Sequence, residues 1–128
     1  MVPQQLPLTT LARRLATCLE AQGIVVDALY LFGSQARGEA TPASDLDLLL
    51  VSPSFERQSF WSRCARVGEA LGDFPAPVQV YPVTVEEFRH PEPGGFLEAL
   101  RPDLRLLYRR GPRRAVQRRG PRLPGGTG

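Results

Sequence analysis

Two carboxylates stand at the start of an apolar run. Asp45 and Asp47 are separated by one leucine, and three leucines and a valine follow them. Because successive residues of a strand point to opposite faces, we expect the two aspartates to share a face. Burying paired carboxylates without a partner is costly, and Mg²⁺ removes that cost because it prefers carboxylate and phosphate oxygens. The pair therefore predicts a Mg²⁺ site at the mouth of a buried strand.

A Gly-Ser pair precedes these carboxylates, with ten residues between Ser34 and Asp45. Gly33 follows a strand pattern and has no side chain, so a phosphate can approach its backbone. Ser34 and the first N–H groups of the short helix that it opens can donate to an anion. Arg37 can reach the same phosphates, although a surface ion pair explains it equally well. Phosphate donors opposite metal carboxylates indicate a site for a nucleoside triphosphate with Mg²⁺.

The elements that must position these residues alternate between helices and strands. We predict a first helix capped by Thr9 or Thr10, a short helix capped by Thr84, and a long helix in which Phe60 and Trp61 pack in the core. The helical patterns are "LTTLARRLATCLEAQG", "GSQAR", "PSFERQSFWSRCARVGEALG", "TVEEFRH" and "GFLEAL"; the strand patterns are "IVVDALYLF", "DLDLLLV", "APVQVYPV" and "LRLLYR". This alternation predicts an α/β layered domain with the sheet in the middle.

The overall composition is that of a globular protein. A chain of 128 residues, with 42% hydrophobic and 23% charged residues, predicts one domain. No apolar run has the length of a membrane span, and the N-terminus lacks the pattern of a signal peptide. Cys18 and Cys64 are then best explained as reduced thiols. We therefore expect a cytoplasmic protein that does not contact a membrane.

The basic residues are concentrated at the C-terminus. All sixteen are arginines, and seven of them follow Tyr108, so residues 1–108 carry nine arginines against 13 acids. We predict a domain over residues 1–108 and a flexible Arg/Gly/Pro-rich tail over residues 109–128. Binding of nucleic acid by this tail is not favoured, because no aromatic residue is interleaved with its arginines.

Taken together, these motifs resemble a known family. "GSQARGEATPASDLD" is similar to the G-S-x10-D-x-D signature of the polymerase-β-like nucleotidyltransferases, and most of all to their small stand-alone members, the minimal nucleotidyltransferase (MNT) domains. The resemblance extends over roughly residues 10–108 and includes "SDLDLLLV" and "FLEALRPDLRLLYRR". Either half of the signature alone is common by chance, whereas both at this spacing are specific. The resemblance implies a central mixed β-sheet flanked by helices, and transfer of a nucleotide monophosphate.

The resemblance also assigns roles to residues. It implies that Asp45 and Asp47 are catalytic and bind two Mg²⁺ ions, that Gly33 and Ser34 hold the triphosphate of ATP, and that Arg37 assists them. The implied acceptor is a hydroxyl group of a HEPN-domain toxin, for which the chain would be the antitoxin. The oligomeric state stays open, a homo-oligomer included.

One position departs from the family pattern. The family supplies a third carboxylate from the next strand, in a pattern such as "PVDLVPLT", where this chain has "PVQVYPVT" with Gln79. Glutamine is neutral, so it cannot act as a general base and is a poor anionic metal ligand. Strand geometry gives no reason to place Asp73, Glu86 or Glu87 in the site instead.

Three hypotheses therefore stay open. The chain is an active transferase, since such transfer depends mainly on metals and positioning. Alternatively, it is a binding module of the same fold that neutralises a partner by contact. A small-molecule nucleotidyltransferase of the aminoglycoside type is the third hypothesis, and the absence of a second, helical domain in 128 residues argues against it.

Overall fold

Four strands form one mixed sheet in the computed structural model of this protein, which describes residues 7–38, 45–74 and 76–111. The strands are β1 (Ala28–Phe32), β2 (Leu46–Val51), β3 (Val78–Val83) and β4 (Arg105–Arg109). The helices are α1 (Leu8–Ala21), α2 (Ser34–Arg37), α3 (Phe60–Leu71), α4 (Val85–Arg89) and α5 (Phe96–Leu100), with 3₁₀ turns at Pro53–Phe55 and Arg101–Asp103.

The strand order is β3-β2-β1-β4. β1 pairs antiparallel with both β2 and β4, whereas β2 pairs parallel with β3. The long helix α3 supplies the crossover that a parallel pair requires. This topology confirms the predicted α/β class with a central mixed sheet flanked by helices.

The two faces of the sheet have separate apolar clusters. Residues of β1 and β2 such as Leu29, Leu31 and Leu48 are buried with α1 and α3 in the larger cluster. Their neighbours in sequence, including Leu49 and Val51, lie in a second cluster with residues of α4 and α5. By the two-residue alternation of a strand, Asp47 lies on this second face. The main core and the acidic residue are therefore on opposite sides of β2.

The predicted long helix is wrong over its first part. Pro53–Phe55 forms only a 3₁₀ turn, Arg57 has a left-handed φ of 66°, and α3 begins at Phe60. Ser59 is the N-cap, because its side chain accepts a hydrogen bond from the backbone N–H of Ser62. A left-handed residue cannot continue a right-handed helix, so the chain must restart at a cap.

The prediction that Trp61 packs in the core is also wrong, because its side chain is 80% exposed. Phe60 is half-buried and packs against Tyr81, with 4.9 Å between the ring centroids. Adjacent helical residues point about 100° apart, so both aromatic side chains could not face the same core. The predicted cap of the first helix, Thr9 or Thr10, is wrong as well. This helix, α1, begins at Leu8 after Pro7, and no side chain caps it.

The described chain continues past Tyr108, the predicted end of the domain. β4 continues to Arg109, and the backbone N–H of Arg110 donates to the carbonyl oxygen of Asp27 at 3.0 Å. Arg109 therefore belongs to the last strand, and residues 112–128 of the predicted tail lie outside the described residues. Among the helices of the described ranges, none is long and apolar enough to cross a membrane. Cys18 and Cys64 are free thiols.

A buried arginine ties α3 to α4. Arg63 donates through both terminal nitrogens to the carboxylate of Glu87, at 2.8 and 3.0 Å, and through Nε to the carbonyl oxygen of Gln58. Glu87 also accepts a hydrogen bond from the N–H of Thr84, whose hydroxyl caps α4 as predicted. The hydrogen bond from Arg63 holds the pKa of the Glu87 carboxyl below its ordinary value of 4.5. Glu87 therefore belongs to a hydrogen-bonded network that joins α3 to α4.

Replacing Glu87 with glutamine is expected to lower the free energy of unfolding at pH 7 by about 1 kcal/mol. The loss is that of a charged hydrogen-bonded pair, reduced because solvent screens the half-exposed glutamate. A lowered folded-state pKa stabilises the protein above the ordinary value and loses that effect as the pH falls through the lowered one. Urea unfolding should therefore separate Glu87→Gln from wild type at pH 7, and the difference should shrink as the pH falls below 4.5. The matched control is Glu86→Gln, because Glu86 has only an exposed ion pair with His90; an equal loss in both variants would contradict this assignment.

Candidate active site

The predicted site residues meet at one end of the sheet. Asp47, near the start of β2, has Phe32 as its partner on β1 and Gln79 as its partner on β3. Partners in register lie on the same face, so all three side chains project from the face covered by α4 and α5. β1 ends at Phe32, and Gly33 follows directly.

Gly33 lies against the carboxylate of Asp47. Its φ of +78° is in the left-handed region, and a Cβ atom at this position would overlap Oδ2 of Asp47. The sequence predicts only that a phosphate can approach the backbone of this glycine. The structure adds a second reason for the glycine, because any larger residue would displace the carboxylate.

Asp45 is linked to Gln79. It is exposed and immediately precedes β2. The amide nitrogen Nε2 of Gln79 donates to Oδ2 of Asp45 at 3.1 Å. A carboxylate only accepts hydrogen bonds, so the donor side of the amide must be the side that faces it. The predicted register of β3 is confirmed, because Gln79 is the strand partner of Asp47. The side chain of Gln79, however, bonds to Asp45.

The charges at this end of the sheet favour a bound cation. Burial raises the pKa of the Asp47 carboxyl above its ordinary value of 3.8, and the negative charge of Asp45 raises it further, while the positive charge of Arg37 lowers it. Arg37 also donates its backbone N–H to the carbonyl oxygen of Gly33 at 3.2 Å. Two carboxylates that repel each other at the edge of a cluster are stabilised by a divalent ion.

The residues present fit one Mg²⁺ ion. Asp45 and Asp47 supply carboxylate oxygens, and Gly33 leaves the space in which the Asp47 carboxylate lies. Over the described ranges, no group of three or more His, Cys, Asp or Glu side chains could hold a metal ion. Ser34 begins α2 beside Gly33, and its side chain is not among those described.

Sequence reasoning missed a row of aromatic side chains next to the acidic residues. We call Phe32, Phe96, Tyr81, Phe60 and Trp61 the aromatic strip; successive ring centroids are 6.0, 4.3, 4.9 and 5.8 Å apart. A cavity of about 640 Å³ opens beside its Phe60, Tyr81 and Phe96 members. The sequence feature that could have predicted this strip is the two-residue spacing from Gln79 to Tyr81, which puts both side chains on one face of β3.

The family model described as "Nucleotidyltransferase domain" matches residues 12–110. The chain therefore belongs to this family, and its general activity is nucleotidyl transfer.

Comparison with solved structures supports the same fold. The chain is similar to the crystal structure of a candidate nucleotidyltransferase from Sulfolobus solfataricus, with a TM-score of 0.59 and 20% sequence identity. The match covers 80% of this chain and 81% of the other. No curated protein matched the sequence significantly.

Proposed function

We propose that the protein transfers AMP from Mg²⁺-bound ATP to a hydroxyl group of a protein acceptor. The observation that carries this proposal is the close fit of Gly33 against Asp47, with Asp45 beside them, in a chain of the nucleotidyltransferase family. A glycine whose missing side chain leaves room for a carboxylate is typical of a site in which that carboxylate has a fixed task.

In this proposal each residue has a separate role. Asp45 and Asp47 hold Mg²⁺, which neutralises charge on the phosphates when bound. Ser34 and Arg37 bind the triphosphate, and Gly33 fixes the Asp47 carboxylate. The acceptor oxygen forms a bond to the α-phosphorus, the bond from that phosphorus to the α,β-bridging oxygen breaks, pyrophosphate leaves, and the hydroxyl proton passes to solvent or to a carboxylate.

The aromatic strip supports a protein as the acceptor. It begins at Phe32, the strand partner of Asp47, and ends at Trp61. Phe96 is 44% exposed and Trp61 is 80% exposed. Exposed aromatic side chains beside a reactive site are typical of a surface that a protein partner covers. By family resemblance we propose that this partner is a HEPN-domain toxin in the cytoplasm and that the chain is its antitoxin.

A second candidate function is a binding module without transfer. The observation that favours it is Gln79, whose neutral amide stands at the strand position beside Asp47 and donates to Asp45. In that case the aromatic strip would bind the partner, and neutralisation would need no nucleotide.

Intact mass spectrometry of the co-expressed HEPN-domain partner tests the proposal. We expect the partner to gain the mass of one or more AMP groups with the wild-type chain, and none with the double variant Asp45→Asn/Asp47→Asn. If the partner co-purifies unmodified with both proteins, the binding module replaces the transferase. If both proteins modify it, the assignment of the aspartates is wrong.

A further inference from the structure

Gln79 replaces the third carboxylate of the family pattern, and its side-chain amide is hydrogen-bonded to Asp45. Nε2 lies 3.1 Å from Oδ2 of Asp45. This hydrogen bond crosses from β3 to the residue before β2 and takes one of the oxygen atoms that a metal ion could use. The amide hydrogens also carry partial positive charge, which disfavours a cation on the same side of Asp45.

The charge available at the acidic residues points the same way. Asp45 and Asp47 together carry two negative charges, and Gln79 adds none. One divalent ion matches the charge of the two carboxylates, whereas a second ion would depend on the triphosphate for its negative ligands. Among the residues described, no cluster of three potential metal-binding side chains offers further charge.

We infer that this site holds one protein-bound divalent ion per chain, not two, and that Gln79 is the positioning residue that sets this number by fixing Asp45 through its amide. The inference rests on the proposed function and deepens it. It differs from the two ions that family resemblance implies. Exchange of the amide for a carboxylate would remove the donor and add a negative charge beside Asp47, which creates room for a second ion.

Equilibrium dialysis with Mn²⁺ tests the number of ions directly. The protein is dialysed against Mn²⁺ and an ATP analogue with a methylene group between the α and β phosphates, which cannot release pyrophosphate. The total number of Mn²⁺ ions bound per chain, at saturation with the analogue, is then measured for wild type, Gln79→Asp and Gln22→Glu. Gln22 is exposed at the C-terminal end of α1, so its variant adds a charge without touching the site.

The expected result is a total of one Mn²⁺ ion per chain for wild type and Gln22→Glu and two for Gln79→Asp. Two ions on wild type would overturn the inference and leave the proposed function intact. One ion on both wild type and Gln79→Asp would remove the role given to Gln79. No ion on wild type would overturn both the inference and the metal site of the proposed function. Circular dichroism establishes that each variant is folded.

Discussion

Replacing Gly33 with alanine is expected to reduce nucleotide transfer by roughly a hundredfold or more, the loss that a displacement of about 1 Å in a reacting group can cause. The added Cβ atom would overlap the Asp47 carboxylate, so the carboxylate must leave its position or the turn after β1 must shift. Alanine at a φ of +78° is also strained, which costs of order 1 kcal/mol of stability. Activity should therefore fall far more than stability.

Gly23→Ala is the matched control for backbone strain. Gly23 has a φ of +85°, and a Cβ atom there would meet no heavy atom within 4 Å. Both variants should lose similar stability in urea unfolding, but only Gly33→Ala should lose transfer and Mn²⁺ binding. Equal activity losses in the two variants would mean that strain alone acts and that the contact with Asp47 has no functional part.

The second large effect is expected from Asp47→Asn, with opposite signs for activity and stability. Transfer should fall to background, because the metal loses a charged ligand. Stability in EDTA at neutral pH should rise, since burial and the charge of Asp45 disfavour the ionised carboxylate. Below the ordinary pKa of 3.8 the carboxyl is protonated in both the folded and the unfolded state, so the raised folded-state pKa costs no stability there. The cost grows as the pH rises through the raised pKa and is complete above it.

Thermal unfolding across pH checks this reversal. In EDTA the midpoint of Asp47→Asn should exceed that of wild type at pH 7, and the difference should vanish toward pH 3. Added Mg²⁺ should raise the midpoint of wild type but not that of Asp47→Asn, because a ligand stabilises the state that binds it. Asp73→Asn changes an exposed aspartate outside the site, so its midpoint should match that of wild type both in EDTA and with Mg²⁺. A less stable Asp47→Asn in EDTA at pH 7 would disprove the electrostatic argument.

The sequence predicted the sheet, and the proximity of Gly33, Asp45 and Asp47, because both follow from patterns between residues that are close in the sequence. Strand patterns are short, and the ten-residue spacing places a turn and the next strand at the same sheet end. The pattern around Gln79 also predicted its neighbour correctly, since a parallel strand that pairs residue by residue fixes the register once one position is known.

Other features depend on contacts that no local pattern encodes. The overlap that excludes a side chain at Gly33 involves an atom on another strand. The exposure of Trp61 depends on which side of α3 packs against the rest of the protein, and Phe60 takes that side by contacting Tyr81. The pairing of Arg63 with Glu87 joins residues 24 positions apart, although the Thr84–Glu87 capping spacing was visible in the sequence.

The strand order leaves β3 and β4 at the two borders of the sheet, and their sequences make both borders poor templates for sheet extension. Pro82 interrupts β3 because it has no N–H to offer, and Arg63 already donates to its carbonyl oxygen at 3.3 Å. Arg105 and Arg109 are exposed on β4. Proline and charged residues at such borders protect proteins from edge-to-edge aggregation. Copies of this domain should therefore not associate by pairing these strand edges.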